Sequence, residues 1–492
     1  MSYVLSKSFE DIAQPGRCSE STPSSHPSRH DPTVHLPAEL LVEVFDMCSP
    51  PGEDGFDGLS ETTTPAQEVE RLAKQYLLKL SQVCSRWHVL VMGTPLLWRI
   101  IIVDTTLWRE SNISPTTLIS LVATSLERGA SHPLTLQVAV EDDESYSSEV
   151  LELLSRHAER WWHAHFWSGF STLQSIATAR GNLPLLEDLE ISQNDDWMEF
   201  NVFEIAPRLT HVTVTGWATP VPNMPWAQIQ LFRYQNFEPN DLSLAILGND
   251  FSPHATFDLT LDVADIDSSA IDLPPVVSNV SGFLLSLTIN DPTTEVLGAV
   301  VGCLTLPHLA TLALVGKSGT VHSLPWSQRR FLAFAARSSL ESTLTSLEIA
   351  RTAIDDDELL ACLAVLPLLE HLFIADSEDA PHSLVTDALL RRLSLISTSG
   401  PPPSLLPPQP ALVPRLNFVS LTSLLDFSDD VYWAFVASRL VPARWAGLLL
   451  EAKIYYLPEC YRELSEEFIS KGLDLEEQGE MNFTVRSNPE EA

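Results

Sequence analysis

A short phrase, P-x-L-x-x-L-x-(aliphatic), recurs from Pro184 onward and restricts the folds open to this chain. It stands at Pro184–Ile191, Pro207–Val214, Pro307–Leu314, Pro367–Ile374 and Pro414–Leu421, with weaker copies ending at Ile289 and Ile349. Each copy ends in alternation, which sends successive side chains to opposite faces as a short strand does. The leucines ahead of it can turn the chain into a core.

Ile191 to Val214 is 23 residues, and Ile289 to Leu314 and Ile349 to Ile374 are 25 each. These steps lie within the roughly 20–29 residue period of leucine-rich repeats. Leu314 to Ile349 is 35 residues, so the array is irregular. Between two copies, Asp355–Val365 opens on acids and continues with leucines at helical spacing, which makes the unit a strand plus a helix. One such unit cannot bury its apolar face alone. Stacked units can, and they predict a curved parallel sheet with helices outside.

The N-terminal part reads differently. Residues 14–32 are rich in Pro, Ser and His and suit a flexible leader. Leu36, Leu40, Leu41, Val44 and Phe45 then recur at helical spacing, with Pro37 fit for a first turn. Residues 49–68 carry Pro, Gly and acids, which is loop chemistry. A second helical pattern places Leu80, Val83, Cys84, Trp87 and Val91 on one face; Gly93 can end it, Thr94 can cap the next turn and Pro95 can open that turn. Ile100 to Val103 reads as a buried strand.

Composition narrows the function. In 492 residues, 29 basic side chains stand against 65 acidic ones, a formal net charge of −36. Binding to a phosphate backbone needs a basic footprint that this chain lacks, and the same field repels an anionic membrane. Nucleic acid and membrane are therefore not expected partners. Val296–Gly316 is uncharged, but Pro307, His308 and two threonines interrupt it, and the repeat explains it better than a membrane span does. Six scattered cysteines, Cys18, Cys48, Cys84, Cys303, Cys362 and Cys460, form no C-x-x-C pair, which fits a reduced cytoplasmic or nuclear setting and gives no support to a zinc site.

Leu36–Phe45, Leu80–Trp87 and Thr94–Trp98 resemble, in order, the three pieces of the F-box, L-P-x-E, V-C-x-R-W and P-x-L-W. The resemblance spans about 65 of 492 residues. The body is similar to that of fungal F-box proteins with degenerate leucine-rich repeats, in which a Trp-bearing helix such as Leu151–Trp167 precedes the first clear repeat. This resemblance implies an α/β multidomain chain: a small all-α F-box module followed by an irregular leucine-rich-repeat-like solenoid. The expected divisions are a disordered leader at 1–33, an F-box helical domain at 34–103 with a loop insertion at 49–75, a repeat domain at 104–460 with a Pro-rich loop at 400–414, and an acidic tail at 461–492.

It further implies that Leu36, Pro37, Leu40, Leu41, Val44, Phe45, Val83, Trp87, Pro95 and Trp98 form or support the surface bound by a Skp-type linker, and through it a cullin–RING ubiquitin ligase. The repeats would take a protein target. The alternative is a ligase-independent interaction scaffold. Two or three short helices enclose little core by themselves, which independently argues for a partner on this face.

No catalytic constellation is evident, and no cofactor or metal is expected. Gly316-Lys317-Ser318 has the end of a phosphate loop, but Thr311 occupies the position of its first glycine. His163 and His165, two apart in the expected helix, would point to different faces. Asp355, Asp356, Asp357 and Glu358 are explained by helix capping, and Glu141–Glu144 by a solvated loop.

Overall fold

The computed structural model of the protein describes residues 36–47, 74–105, 114–140, 146–192, 200–216, 223–236, 244–262, 273–288, 296–316, 323–376, 383–395, 412–440, 449–457, 464–479 and 481–487. The leader, most of the 49–75 insertion, most of the Pro-rich stretch, Glu141–Glu144 and Lys317 lie outside them. The chain divides into two compact units, Met1–Leu209 with Pro222–Pro225, and Thr210–Val221 with Trp226–Ala492.

The first unit opens with helices α1 (Ala38–Met47), α2 (Lys74–Ser81) and α3 (Ser85–Gly93) and a 3-10 turn at Pro95–Trp98. Strand β1 (Ile100–Asp104) follows, then α4 (Pro115–Arg128), β2 (Leu134–Ala139), α5 (Ser147–Ser155), β3 (Trp161–Trp167) and β4 (Asp188–Ser192). β1 to β4 pair in parallel in chain order.

Two expectations are corrected in this unit. The continuous helix over Leu80 to Val91 is broken: Gln82 and Val83 donate to the carbonyls three residues back, which tightens and ends α2. Cys84 then takes an extended backbone and caps α3, its Sγ accepting from the Trp87 amide at 3.5 Å. The helix expected over Leu151–Trp167 stops at Ser155, and Trp161–Trp167 is a strand. Aromatic side chains fit a pleated, half-buried surface, and β2 and β4 offer backbone partners on both edges. Trp161, Ala164 and Phe166 are buried, and the register slips by one residue opposite Leu134 and Thr135.

The second unit contains β5 (His211–Gly216), β6 (Leu231–Asn236), β7 (Thr256–Asp262), β8 (Gly282–Thr288), α6 (Val296–Cys303), β9 (Thr311–Gly316), α7 (Gln328–Arg337), β10 (Ser346–Ala350), α8 (Asp356–Ala364), β11 (His371–Ala375), α9 (Asp387–Leu393), β12 (Phe418–Ser423), α10 (Asp429–Leu440), β13 (Glu451–Tyr456), α11 (Glu466–Glu477) and β14 (Asn482–Ser487). Each strand pairs in parallel with its chain neighbours, from β5 through to β14. That order is consistent with a solenoid-like stack. The expected acidic tail from 461 is corrected: α11 and β14 continue the same pattern, because Phe468, Met481 and Phe483 supply apolar side chains that bury. Val296–Gly316 resolves into α6 and β9, and among the described residues no helix is long and apolar enough to cross a membrane.

The recurrent phrase acquires a mechanism here. The amides of Leu209, Leu309, Leu369 and Leu416 donate to the carbonyls of Ala206, Leu306, Leu366 and Val413, each the residue ahead of the phrase's proline. Proline thus occupies the second position of a turn, where its fixed φ costs no rearrangement. The turn drops a leucine into the core just before the strand, and the strand's next two inward side chains follow it. Leu309, Leu312 and Leu314 are all fully buried, as are Leu369 and Leu372.

Candidate partner-docking site

The N-terminal helices enclose one small apolar cluster of Leu41, Phe45, Leu77, Val91, Leu97 and Trp98. α1 contributes Leu41 and Phe45, one turn apart, and the Phe45 ring lies 4.7 Å from that of Trp87. Pro37 starts the helix by giving its carbonyl to the Leu41 amide at 3.2 Å, and the Arg86 guanidinium donates to the Leu36 carbonyl. Asp46 near the end of α1 pairs with Arg99 at 3.1 Å. The three sequence pieces therefore meet in space and hold one another.

Trp98 anchors this cluster to the rest of the first unit. Its indole N–H donates to the Val91 carbonyl at 2.8 Å, and the Arg128 guanidinium of α4 sits 4.6 Å from the ring centroid. Burial lowers the pKa of Arg128. Among the expected site residues, Leu41, Phe45 and Trp98 are thus interior. Trp87 and Pro95 are half-buried, and Pro37 is exposed.

The other side of α1 has no cover among the described residues. Leu36 is 39% exposed, Leu40 45% and Val44 42%, and Met47 continues the same stripe at 77%. Val83, in the α2–α3 turn, and Val89, on α3, are 60% and 68% exposed. Met47 and Val89 were not among the expected residues; the helical spacing from Val44 to Met47 was a usable signal for the first. Six large apolar side chains on so few turns are more than scattered surface apolar residues require.

The remaining candidates resolve into structure. His163 and His165 lie on a strand and so share a face, which corrects the expectation of opposed faces; His165 Nε2 is 3.4 Å from Glu190 of β4. Among the described residues no group of three or more His, Cys, Asp or Glu side chains could hold a metal ion. Asp355 and Glu358 form a reciprocal capping box at the start of α8, with bonds of 2.8 and 3.2 Å. Cys303 and Cys362 are buried, which pushes their thiols up to about 11 and about 12, far from the thiolate state that reactivity needs.

An F-box-like family model matches residues 33–114. That span takes in every element of the apolar cluster, together with β1. A comparison with curated proteins gave no match to this chain.

Proposed function

We propose, from the F-box-like domain at residues 33–114, that this chain is the substrate receptor of a Skp–cullin–F-box type ubiquitin ligase. The uncovered stripe Leu36, Leu40, Val44 and Met47 carries the reading. Fully burying one such side chain contributes about 1.5–3 kcal/mol, so a few of them offset the cost of association with a Skp-type linker. In this reading Leu41, Phe45, Trp87 and Trp98 hold the stripe in shape, while Pro37, Val83 and Pro95 flank it. The repeat body takes a target protein. The receptor contributes no reacting group, and ubiquitin transfer is accelerated because the target is held near the ligase.

The test is co-purification with the linker. Leu40→Asp combined with Val44→Asp buries two charges in the contact, so capture should fall by at least a hundredfold while the melting temperature stays within about 2 °C of the parent. Undiminished capture by the double variant would refute the docking surface. A complex that holds the linker but never a cullin would move the reading to a ligase-independent scaffold.

A further inference from the structure

On the outward side of the second unit's strands, some charges are ion-paired among the described residues. Arg233 and Asp258 pair across β6 and β7 at 3.2 Å, and Lys453 and Glu451 pair on β13 at 2.9 Å. Glu348 of β10 differs from all four. Its neighbours Leu347 and Ile349 are fully buried, so Glu348 faces away from the core, yet it is itself half-buried. Among the described residues no hydrogen bond or ion pair engages its carboxylate.

Register fixes its surroundings. Ala313 lies beside it on β9 and Phe373 beside it on β11, with strands about 4.8 Å apart. Ala350 and Ala375 follow along the same face, one step further. Phe373 in turn meets Phe418 of β12, with ring centroids 4.9 Å apart. The arrangement is a carboxylate with small side chains on one flank and a paired aromatic surface on the other. Lys453 lies over the far ring, 5.3 Å from the Phe418 centroid, and is already ion-paired. Arg351 acts on Glu348 through space, but its Nη1 donates to the Gly316 carbonyl at 3.3 Å.

We propose that Glu348 and Phe373 form a subsite on the sheet face for a cationic side chain of a protein segment, with arginine the best fit. A planar guanidinium can give a two-pronged hydrogen bond to the carboxylate and lay its face on the ring of Phe373. The occupant follows from charge complementarity: an acid with no ion pair or hydrogen bond among the described residues, beside aromatic rings in a chain of net charge −36, draws a cation and repels an acidic segment. Burial holds the Glu348 carboxyl above its usual range, so its ionised form gains most when a cation arrives. This inference rests on the reading that the repeats receive a target, and it names the class of side chain they select.

The full-length chain is applied to immobilised pools of short peptides that carry arginine, lysine, citrulline or glutamate at a fixed central position between randomised flanks. Citrulline keeps the shape of arginine and removes its charge. Arginine pools should retain the chain about tenfold more than citrulline pools, the contribution of one charge-assisted contact. Glu348→Gln should erase that ratio while leaving the melting temperature unchanged or higher and linker capture intact. Phe373→Leu should cut the ratio severalfold. Equal retention of arginine and citrulline pools, or a ratio that survives Glu348→Gln, overturns the subsite. A lost ratio together with a lowered melting temperature also overturns it, since Glu348 would then be structural. Linker capture is read on the same preparations, so a failure of the docking surface is seen separately.

Discussion

Arg439 is 1% exposed and has no carboxylate partner among the described residues; its guanidinium instead donates to the carbonyls of Leu393, Leu412, Val413 and Leu416. Burial lowers its pKa to about 10, so it stays charged at neutral pH. The carbonyl end of α9 carries partial negative charge, and the turn before β12 presents further carbonyls to the same guanidinium. One side chain satisfies both. Arg337 does the same for Val301 and Leu304, and Arg160 for Leu126 and His132. Arg439→Met keeps much of the volume but strands several buried carbonyls, and should cost about 3–5 kcal/mol in urea unfolding. Arg439→Lys should recover little, because a point charge cannot reach carbonyls on two sides. A loss below about 1 kcal/mol for Arg439→Met would show that water serves those carbonyls equally well. None of these three roles was legible in the sequence, since an arginine at a helix end reads as a solvated charge until its neighbours in space are known.

At the scale of elements, the last strand depends on a helix coming unusually near. A Cβ on Gly472 of α11 would stand 2.0 Å from two ring carbons of Phe483 on β14. Gly472→Ala gains helix propensity of about 1 kcal/mol yet must expel the ring, which should cost about 1–3 kcal/mol net and raise amide exchange in β13 and β14 before the rest of the sheet. A variant as stable as the parent, with unchanged exchange there, would mean that α11 shifts freely on the sheet. The polarity of 461–492 concealed this unit, because α11 buries only a narrow face. The strands of the P-x-L phrase were legible, since two alternating aliphatic residues after a turn have few other places to go. Trp161–Trp167 was not: aromatic residues at positions that suit either period leave the choice to strand pairing, which only the folded chain supplies. In the N-terminal helical module the order of the three pieces was legible, and their division into interior and exposed sides was not, because Leu40 and Leu41 are alike in type and differ only in which way α1 turns them.

For the molecule as a whole, acidity governs stability. Asp376 is 2% exposed and accepts from Ser383 Oγ, the Leu384 amide and the Leu424 amide at 2.5, 2.7 and 3.0 Å, yet burial still holds its carboxyl above the usual range. Burial raises Asp258 and Glu348 likewise. A carboxyl whose folded pKa exceeds its unfolded value keeps its proton in the native state after the unfolded chain has lost it. Its stabilisation is therefore fully present below the unfolded value near 4 and is lost as pH rises through the folded one. Two groups run the other way. His157 is lowered by burial and by Arg160, and in Asp387 the upward push of burial is outweighed by hydrogen bonds from Ser428 and by Arg391. Repulsion among 65 acids and 29 bases adds to the majority trend, because every proton taken up on the way to the isoelectric point near 4.6 relieves it. The melting temperature should accordingly be several degrees higher at pH 5.5 than at pH 8 in low salt, with the gap narrowed by added sodium chloride as surface charges are screened. Asp376→Asn should lower the melting temperature throughout, since the amide nitrogen faces donors, and should also flatten the slope against pH. A melting temperature that is level across this range, or that climbs with pH, would show that the paired acids outweigh the buried ones.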